Sequence, residues 1–328
     1  MTPIHRFFIA RFCLCLLFLL RFVLLMSRPA NYHPQQLKLW HLQDRKFNRP
    51  IAELRINIIS EKANQSPFMA ACADLLAIVA SDALTETCYL ASVCELGSSL
   101  TSTDSGFYVR VYGFDDRLLD LAGEVLRLLF AFRQDLHADT GDNASSSVVK
   151  PGRLSACRDI LFRRYGNAGL CSSSLCSGLR LRCLRSTPPP SAFVKKEALL
   201  KAKDEDFYRG AAELLRQVRV EALFHGNVDI ESADNASNMI KDVVTELSTS
   251  SSLLRRPYPP VHMDVRILPS FTDGIKPIVV PTIDPGDPNT AVEIYYQIGK
   301  DDIRNRVLID LLEQIMEEPF YNQLRTKE

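Results

Sequence analysis

The stretch Gly106-Phe-Tyr-Val-Arg-Val-Tyr-Gly113 decides which fold class the chain can adopt. Its residues alternate between apolar and polar with a period of two, which is typical of a strand that is buried on one face only. The two faces are Phe107, Val109 and Val111 on one side and Tyr108, Arg110 and Tyr112 on the other. Such a strand needs a layer of helices or a second sheet to cover its apolar side.

The neighbouring segments supply those helices. We expect Asp115 and Asp116 to cap a helix whose apolar residues recur at helical spacing between Leu118 and Leu129. Upstream, Leu54–Ser60 alternates as another strand. Ser66 with Pro67 then favours the start of a helix that continues to about Leu96.

The last third of the chain repeats this order of elements. We predict helices over Asp204–Leu215 and Glu231–Leu247, a strand over Val218–Phe224, strands over 261–268, 276–280 and 292–298, and a helix that begins near Asp302. No strand–helix–strand pattern typical of a parallel crossover occurs. The sequence therefore predicts an α+β fold, with helices packed on one face of a mainly antiparallel sheet.

Composition excludes some classes of function. The 328 residues include 39 basic and 39 acidic side chains, so no net field marks the chain as a nucleic-acid binder. The basic run Arg163–Arg185 lacks interleaved aromatic residues suited to stacking on bases, and we interpret it as a solvated helix face. The nine cysteines form no Cys-x-x-Cys pair, which favours reduced thiols over a zinc knuckle.

Residues 1–36 differ from the rest of the chain. The run Phe7–Met26 is as long as a membrane span and contains only Arg11 and Arg21 as charges. Both arginines lie toward its ends, where their side chains could reach the polar interface. Two interpretations stay open: a signal sequence or membrane anchor, and an incidental N-terminus.

Four blocks, in order, resemble the insulysin/nardilysin-type zinc metallopeptidases of the pitrilysin superfamily. They are Leu39–Phe47, Ala91–Gly97 with Gly106–Gly113, Val220–Asn227, and Glu293–Gln297 with Glu318–Glu328. The resemblance implies closing strands of a preceding family domain over 37–60 and the middle or third domain over 61–280. It also implies a truncated start of the fourth domain over 281–328, after the Pro- and Gly-rich stretch Pro281–Asn289.

The zinc motif of that family is not found in this sequence. The family holds zinc with an inverted His-x-x-Glu-His motif, whose glutamate acts as the general base. The six histidines are His5, His33, His41, His137, His225 and His262, and no two have that spacing. We therefore predict no catalytic residue, no metal ligand and no cofactor in this chain, with zinc belonging to the complete family enzyme.

Two residues match family positions that contact substrate. The resemblance implies that Arg325 reaches the bound peptide and that Tyr321 lies near the substrate pocket. The alternative is an arginine on a solvated helix face and an aromatic residue at the edge of a core. His225 precedes Gly226 and Asn227 in a sequence typical of a turn, which favours a structural over a catalytic role.

The resulting functional expectation is a non-catalytic, substrate-enclosing half of an insulysin-like zinc endopeptidase, inactive by itself. Its partners would be a peptide substrate and a catalytic N-terminal half. The alternative is a stand-alone, catalytically dead scaffold or interaction protein, with membrane attachment through Phe7–Met26. The family favours a cytoplasmic location, whereas a genuine N-terminal apolar segment would favour the membrane or the secretory pathway.

Overall fold

The computed structural model describes residues 6–8, 28–33, 37–47, 49–133, 149, 152–185, 187–246, 277–284, 286–298 and 302–327. The chain divides into two compact units. The first comprises Met1–Phe12, Asn167–Pro188 and Met263–Glu328, and the second comprises Cys13–Gly166 and Pro189–His262.

The second unit is built on a six-stranded sheet. Its strands are β2 (Arg28–His33), β3 (Leu37–Gln43), β4 (Ile51–Ser60), β5 (Gly97–Thr103), β6 (Gly106–Phe114) and β7 (Val218–Gly226); β1 (Arg6–Phe8) lies in the first unit. The order across the sheet is β2-β3-β7-β4-β6-β5. All neighbours are antiparallel except β3 and β7, so the predicted mainly antiparallel sheet is confirmed.

Helices cover one face of this sheet. They are α1 (Pro67–Ala83), α2 (Thr85–Val93), α3 (Leu118–Ala131), α4 (Arg153–Asn167), α6 (Ala192–Lys201), α7 (Asp204–Arg216) and α8 (Ile230–Glu246); α5 (Ser172–Leu184) lies in the first unit. Leu54, Ile56 and Ile58 of β4 are completely buried beneath them, together with Phe107 and Val109 of β6. This apolar burial is the main stabilising contribution to the fold, which is of the predicted α+β class.

The Arg133 side chain forms hydrogen bonds with the C-terminal ends of two of these helices. Arg133 Nε donates to Leu215 O at 2.8 Å, and its Nη1 donates to Val244 O at 2.7 Å. Carbonyls in the last turn of a helix have no partner within the helix. The Arg133 cation therefore satisfies the C-terminal ends of α7 and α8 together.

The predicted helical segment to about Leu96 is confirmed as far as Val93, but it consists of two helices, since the chain bends by 56° between α1 and α2. Leu84 at the bend is buried, and the Thr85 hydroxyl donates to Asp82 O at 2.8 Å. Side-chain bonds of this kind compete with the regular helical pattern. The basic stretch is likewise two helices, α4 and α5, separated near Gly169, which adopts φ +90°.

The predicted cap by Asp115 and Asp116 is also wrong. Arg117 occupies the capping position of α3, and no side chain caps this helix. The Asp115 carboxylate instead accepts from Asn227 Nδ2 at 2.8 Å. A tertiary contact with the turn after β7 has replaced the local one.

The first unit carries α5, β8 (Thr290–Val292) and α9 (Ile303–Tyr321), followed by a π-helical turn at Asn322–Thr326. The predicted strands over 276–280 and 292–298 are wrong where the structure describes them: 277–280 and 293–298 form no strand, and the observed pairing is that of Thr290–Val292, in parallel with β1. A strand requires a partner, and β1 is the one that the described part of this unit provides. The predicted strand 261–268 lies outside the described residues.

No single helix among the described residues is long and apolar enough to cross a membrane. The bent pair α1–α2 is long and apolar enough when its two helices are taken together, but nine residues of α1 are buried. The predicted apolar run Phe7–Met26 lies outside the described residues apart from the β1 positions 7 and 8.

The predicted segment 37–60 belongs structurally to the main sheet. Its strands β3 and β4 pair with β7 and β6, which come from the predicted domain 61–280. The assignment of 1–36, 37–60, 61–280 and 281–328 to separate family domains stays a prediction.

Candidate functional site

The face of the sheet opposite the helices presents a polar and aromatic surface, here called the open face. Because side chains alternate along a strand, it carries the residues that the core does not use. Its members are Lys38 and Trp40 of β3, Glu53, Arg55 and Asn57 of β4, Tyr108, Arg110 and Tyr112 of β6, and Arg219, Glu221, Leu223 and His225 of β7. In the register of the sheet, Glu53 lies opposite Tyr112 on one side and His225 on the other.

Glu53 is the centre of a charged network on the open face. Its Oε1 accepts from Arg55 Nε at 2.7 Å and from Arg110 Nε at 2.5 Å. His225 Nε2 lies 3.3 Å from the other carboxylate oxygen. The Glu53 side chain is only 13% exposed, so these contacts are weakly screened by solvent.

The network determines the protonation state of Glu53. Burial by itself raises the pKa of this carboxyl, but the hydrogen bonds from His225, Arg110 and Arg55 outweigh it and hold the pKa far below its usual range. The bond to Glu53 also raises the pKa of the Arg110 guanidinium. Glu53 is therefore an anion at neutral pH and is unsuited to take up a proton as a general base.

Aromatic rings and further charges complete the open face. Lys38 Nζ lies 4.2 Å from the centre of the Trp40 ring, and the Arg110 guanidinium lies 4.4 Å from that of Tyr112. Arg219 forms an ion pair with Glu221. The face thus combines four permanent cations and two carboxylates with the exposed Tyr112 ring and the half-buried Trp40 ring, an arrangement suited to binding anionic and aromatic groups.

The two residues predicted to contact substrate lie at the end of α9, in the first unit. The Arg325 guanidinium lies 5.3 Å from the centre of the Tyr321 ring, and the Tyr321 side chain is exposed. The structure therefore brings these two residues together, and it assigns them no further partner that would identify a ligand. Their role in substrate contact stays a prediction.

His225 has the turn environment that its sequence predicts. Gly226 adopts φ +117°, and a Cβ there would lie 2.3 Å from Ile51 O, so the position requires glycine. Asn227 N donates to the same Ile51 carbonyl at 2.9 Å. The turn fixes the end of β7 and thereby positions His225 beside Glu53.

The described residues do not fit a zinc site. They contain no group of three His, Cys, Asp or Glu side chains placed to hold a metal ion. His41 Nε2 is engaged with Val228 O at 2.9 Å, and His225 lies beside Glu53. The seven cysteines in this part of the chain are all free thiols.

Sequence reasoning missed Glu53, Arg55 and Trp40 as members of a surface. The signal was present, since charged residues occupy the outward positions of strands with buried alternate residues. The sequence does not reveal the register between β6, β4 and β7. That register brings Arg110 and His225, from two distant segments, to the carboxylate of Glu53.

Comparison with known proteins identifies relatives over most of the chain. Residues 28–174 match the family described as the middle or third domain of peptidase M16. A nardilysin-like protein of Arabidopsis thaliana is 28% identical over 296 residues, which is 89% of this chain and 26% of that protein. Insulin-degrading enzyme of Bos taurus is 26% identical over 322 residues, which is 93% of this chain and 29% of that enzyme.

The chain therefore spans about a quarter of the length of the relatives it matches. A relative from Schizosaccharomyces pombe, 29% identical over 293 residues (89% of this chain and 28% of that protein), is named as a zinc protease. Among solved structures, pitrilysin superposes with a TM-score of 0.55 and 18% identity over 69% of this chain and 22% of pitrilysin, which shows a shared fold. The resemblance stated from the sequence blocks is confirmed.

Proposed function

We propose that this chain, which carries the middle domain of an insulysin/nardilysin-type M16 peptidase, is a non-catalytic part that encloses and positions peptides. The observation that carries the proposal is the open face, where the Glu53 network holds Arg55 and Arg110 in fixed positions beside aromatic rings. Because these cations are already held in place, binding the carboxylates of a peptide costs little additional side-chain entropy.

In this proposal the hydrolytic chemistry resides elsewhere. A catalytic half that bears the family zinc motif would cleave the peptide, and the binding energy of this chain would position the peptide over the metal. Tyr321 and Arg325 are proposed to contribute peptide contacts from the first unit, because both match substrate-contacting positions of the family.

The first test uses the purified chain by itself. We expect no stoichiometric zinc by plasma mass spectrometry and no cleavage of a quenched fluorescent peptide. Stoichiometric metal together with cleavage that a chelator abolishes would overturn the proposed division of labour.

The second test measures peptide binding to the open face by fluorescence anisotropy, with a labelled peptide that contains glutamate and phenylalanine. We expect Arg110→Gln to weaken binding at least fivefold, since it removes a cation from the face. Arg117→Gln is the matched control, because Arg117 also pairs with a carboxylate, that of Asp120, but belongs to the start of α3. Equal affinity of the two variants would argue against the open face as the binding surface.

The contribution of Arg325 has its own control within the same helical segment. We expect Arg325→Ala to weaken peptide binding, while Arg304→Ala, in the first turn of α9, leaves it unchanged. An unchanged affinity for both variants would remove Arg325 from the proposed peptide contacts.

A second candidate function, a stand-alone interaction protein, is favoured by the surface of α9. Val307, Leu308, Leu311, Leu312 and Ile315 are all about half exposed, and an apolar helix face of this kind commonly marks a protein interface. The coding sequence around this chain separates the candidates. A His-x-x-Glu-His domain upstream and the remainder of a fourth family domain downstream, both in frame, would favour the enclosing role and argue against the scaffold.

A further inference from the structure

The segment Thr187–Ser191, which lies between α5 and α6 along the chain, has an extended backbone. It contains three consecutive prolines, Pro188–Pro190, whose rings lock φ at about −65°. Each residue that precedes a proline is also kept out of the helical region. Arg185 (φ −85°, ψ 137°) and Ser191 (φ −66°, ψ 157°), which flank this run, have extended dihedral angles as well. Covalent geometry therefore makes the segment similar to a polyproline helix, with its backbone open to solvent.

Thr187 presents an accessible hydroxyl group at the start of this segment. The residue is exposed, whereas the three prolines that follow it are half-buried. Its side chain forms no hydrogen bond with the part of the chain that the structure describes. The hydroxyl is thus available to an enzyme that binds an extended chain.

The other Ser-Pro or Thr-Pro pair among the described residues, Ser66-Pro67, has a different environment. Ser66 Oγ accepts from Met69 N at 3.2 Å, and the Ser66 carbonyl accepts from Ala70 N at 3.0 Å. Pro67 begins α1, so the residues after Ser66 are helical rather than extended. An enzyme that needs an extended chain could reach this hydroxyl only after the first turn of α1 had unfolded.

We propose that Thr187 is a site of phosphorylation by a proline-directed protein kinase. Kinases of this class bind the acceptor residue in an extended conformation and accept proline directly after it, where no backbone N–H is required. The Thr187 hydroxyl oxygen attacks the γ-phosphorus of ATP, and the bond from that phosphorus to the bridging oxygen of the β-phosphate breaks. ADP leaves, and the hydroxyl proton passes to the catalytic aspartate of the kinase. This site goes beyond the open face and uses none of its residues.

Phosphorylation would change the charge at the end of α5. Arg182 lies in the last turn of this helix and Arg185 directly follows it, so the stretch before Thr187 is basic. A phosphothreonine carries a charge of about −1.5 to −2 at pH 7. The modification therefore replaces a local charge of about +2 by one near zero.

The test compares the full chain with two reference peptides, residues 182–194 with Thr187 and residues 60–72 with Ser66. Each is incubated with an active mitogen-activated protein kinase and MgATP, and phosphopeptides are quantified by mass spectrometry over time. We expect Thr187 to be modified in the chain within about threefold of its rate in the peptide, because its segment is already extended. Ser66 should be modified at least about tenfold more slowly in the chain than in its peptide, because α1 must first open locally.

Two proline variants of the full chain test the recognition of the segment. We expect Pro188→Ala to slow phosphorylation of Thr187 at least about tenfold. Pro190→Ala is the matched control, because it belongs to the same run but does not follow the acceptor, and it should leave the rate unchanged. Equal rates in these two variants would contradict the proposal. A rate at Thr187 that is tenfold or more lower in the chain than in the peptide would overturn it, and so would a Thr187 peptide that stays unmodified.

Discussion

At the scale of single residues, Glu53 shows how a local charge is coupled to folding. Its pKa is depressed in the folded chain, because hydrogen bonds from His225, Arg110 and Arg55 outweigh the effect of burial. A carboxyl with a depressed folded pKa stabilises the fold above its unfolded pKa of about 4.3, and this contribution is lost as pH falls.

We therefore expect Glu53→Gln to lower the free energy of unfolding by about 1–3 kcal/mol at pH 7. The difference from the parent chain should stay constant at neutral pH and shrink progressively below about pH 4.3. Urea denaturation at several pH values measures it. Glu124→Gln, which removes an exposed pair with Arg127, is the control and should have no measurable effect. A pH-independent difference for Glu53→Gln would contradict the ionic origin of the effect.

Cys171 is the second residue whose chemistry the structure predicts. It is exposed at the start of α5, and hydrogen bonds from Ser173 and Ser174 lower the pKa of its thiol to about 7. We expect iodoacetamide to modify Cys171 several-fold faster at pH 7 than the exposed Cys94 and Cys183, because the thiolate is the reacting form. Peptide mass spectrometry over time measures the rates. Ser173→Ala should slow Cys171 alone, and an unchanged rate would contradict the assigned cause.

At the scale of elements, the packing of α7 on α1 depends on one glycine. A Cβ at Gly210 would lie 2.9 Å from Cys72 Sγ and 3.2 Å from the Phe68 ring, and the Cys72 side chain is fully buried. The helices approach this closely because position 210 has no side chain. Cys72 Sγ then reaches Phe207 O at 3.5 Å.

Gly210→Ala should therefore destabilise the chain. Overpacking costs about 1–3 kcal/mol, which the better helix propensity of alanine offsets by up to about 1 kcal/mol. Gly178→Ala in α5 is the matched control, because nothing lies within 4 Å of its added Cβ. We expect the control to be neutral or slightly stabilising in thermal denaturation. A Gly210→Ala variant more stable than the parent chain would contradict this, because it would mean that α1 and α7 move apart to accommodate the added methyl group.

At the scale of the whole molecule, the buried core is concentrated in the second unit. The large buried side chains come mainly from β3, β4, β6, β7, α1, α3 and α7, whereas no residue of α9 is buried. Backbone amides whose hydrogen bonds lie in a helix on the surface exchange through local unfolding, which requires little free energy. We therefore expect hydrogen exchange after about residue 281 to be much faster than in 106–130. Exchange measured by mass spectrometry on a monomeric sample tests this, and equal protection of 291–318 would contradict it.

Much of the second unit was predictable from local sequence. The alternation in Leu54–Ser60 and Gly106–Gly113 and the helical spacing between Leu118 and Leu129 each appear in the structure at nearly the predicted bounds. These patterns are strong because one face of each element is buried, and burial imposes the period of the element on its residues. The predicted strands 276–280 and 292–298 failed because apolar composition alone does not provide a pairing partner.

The sequence by itself determined the α+β class, the apolar face of each core element and the resemblance to M16 peptidases. Only the tertiary structure decided that the side chains of Glu53, Arg110 and His225 meet on one face of the sheet. The reason is physical. Periodicity along the chain reports which side of an element is buried, whereas the register between strands and the approach of helices arise from contacts between residues more than fifty positions apart.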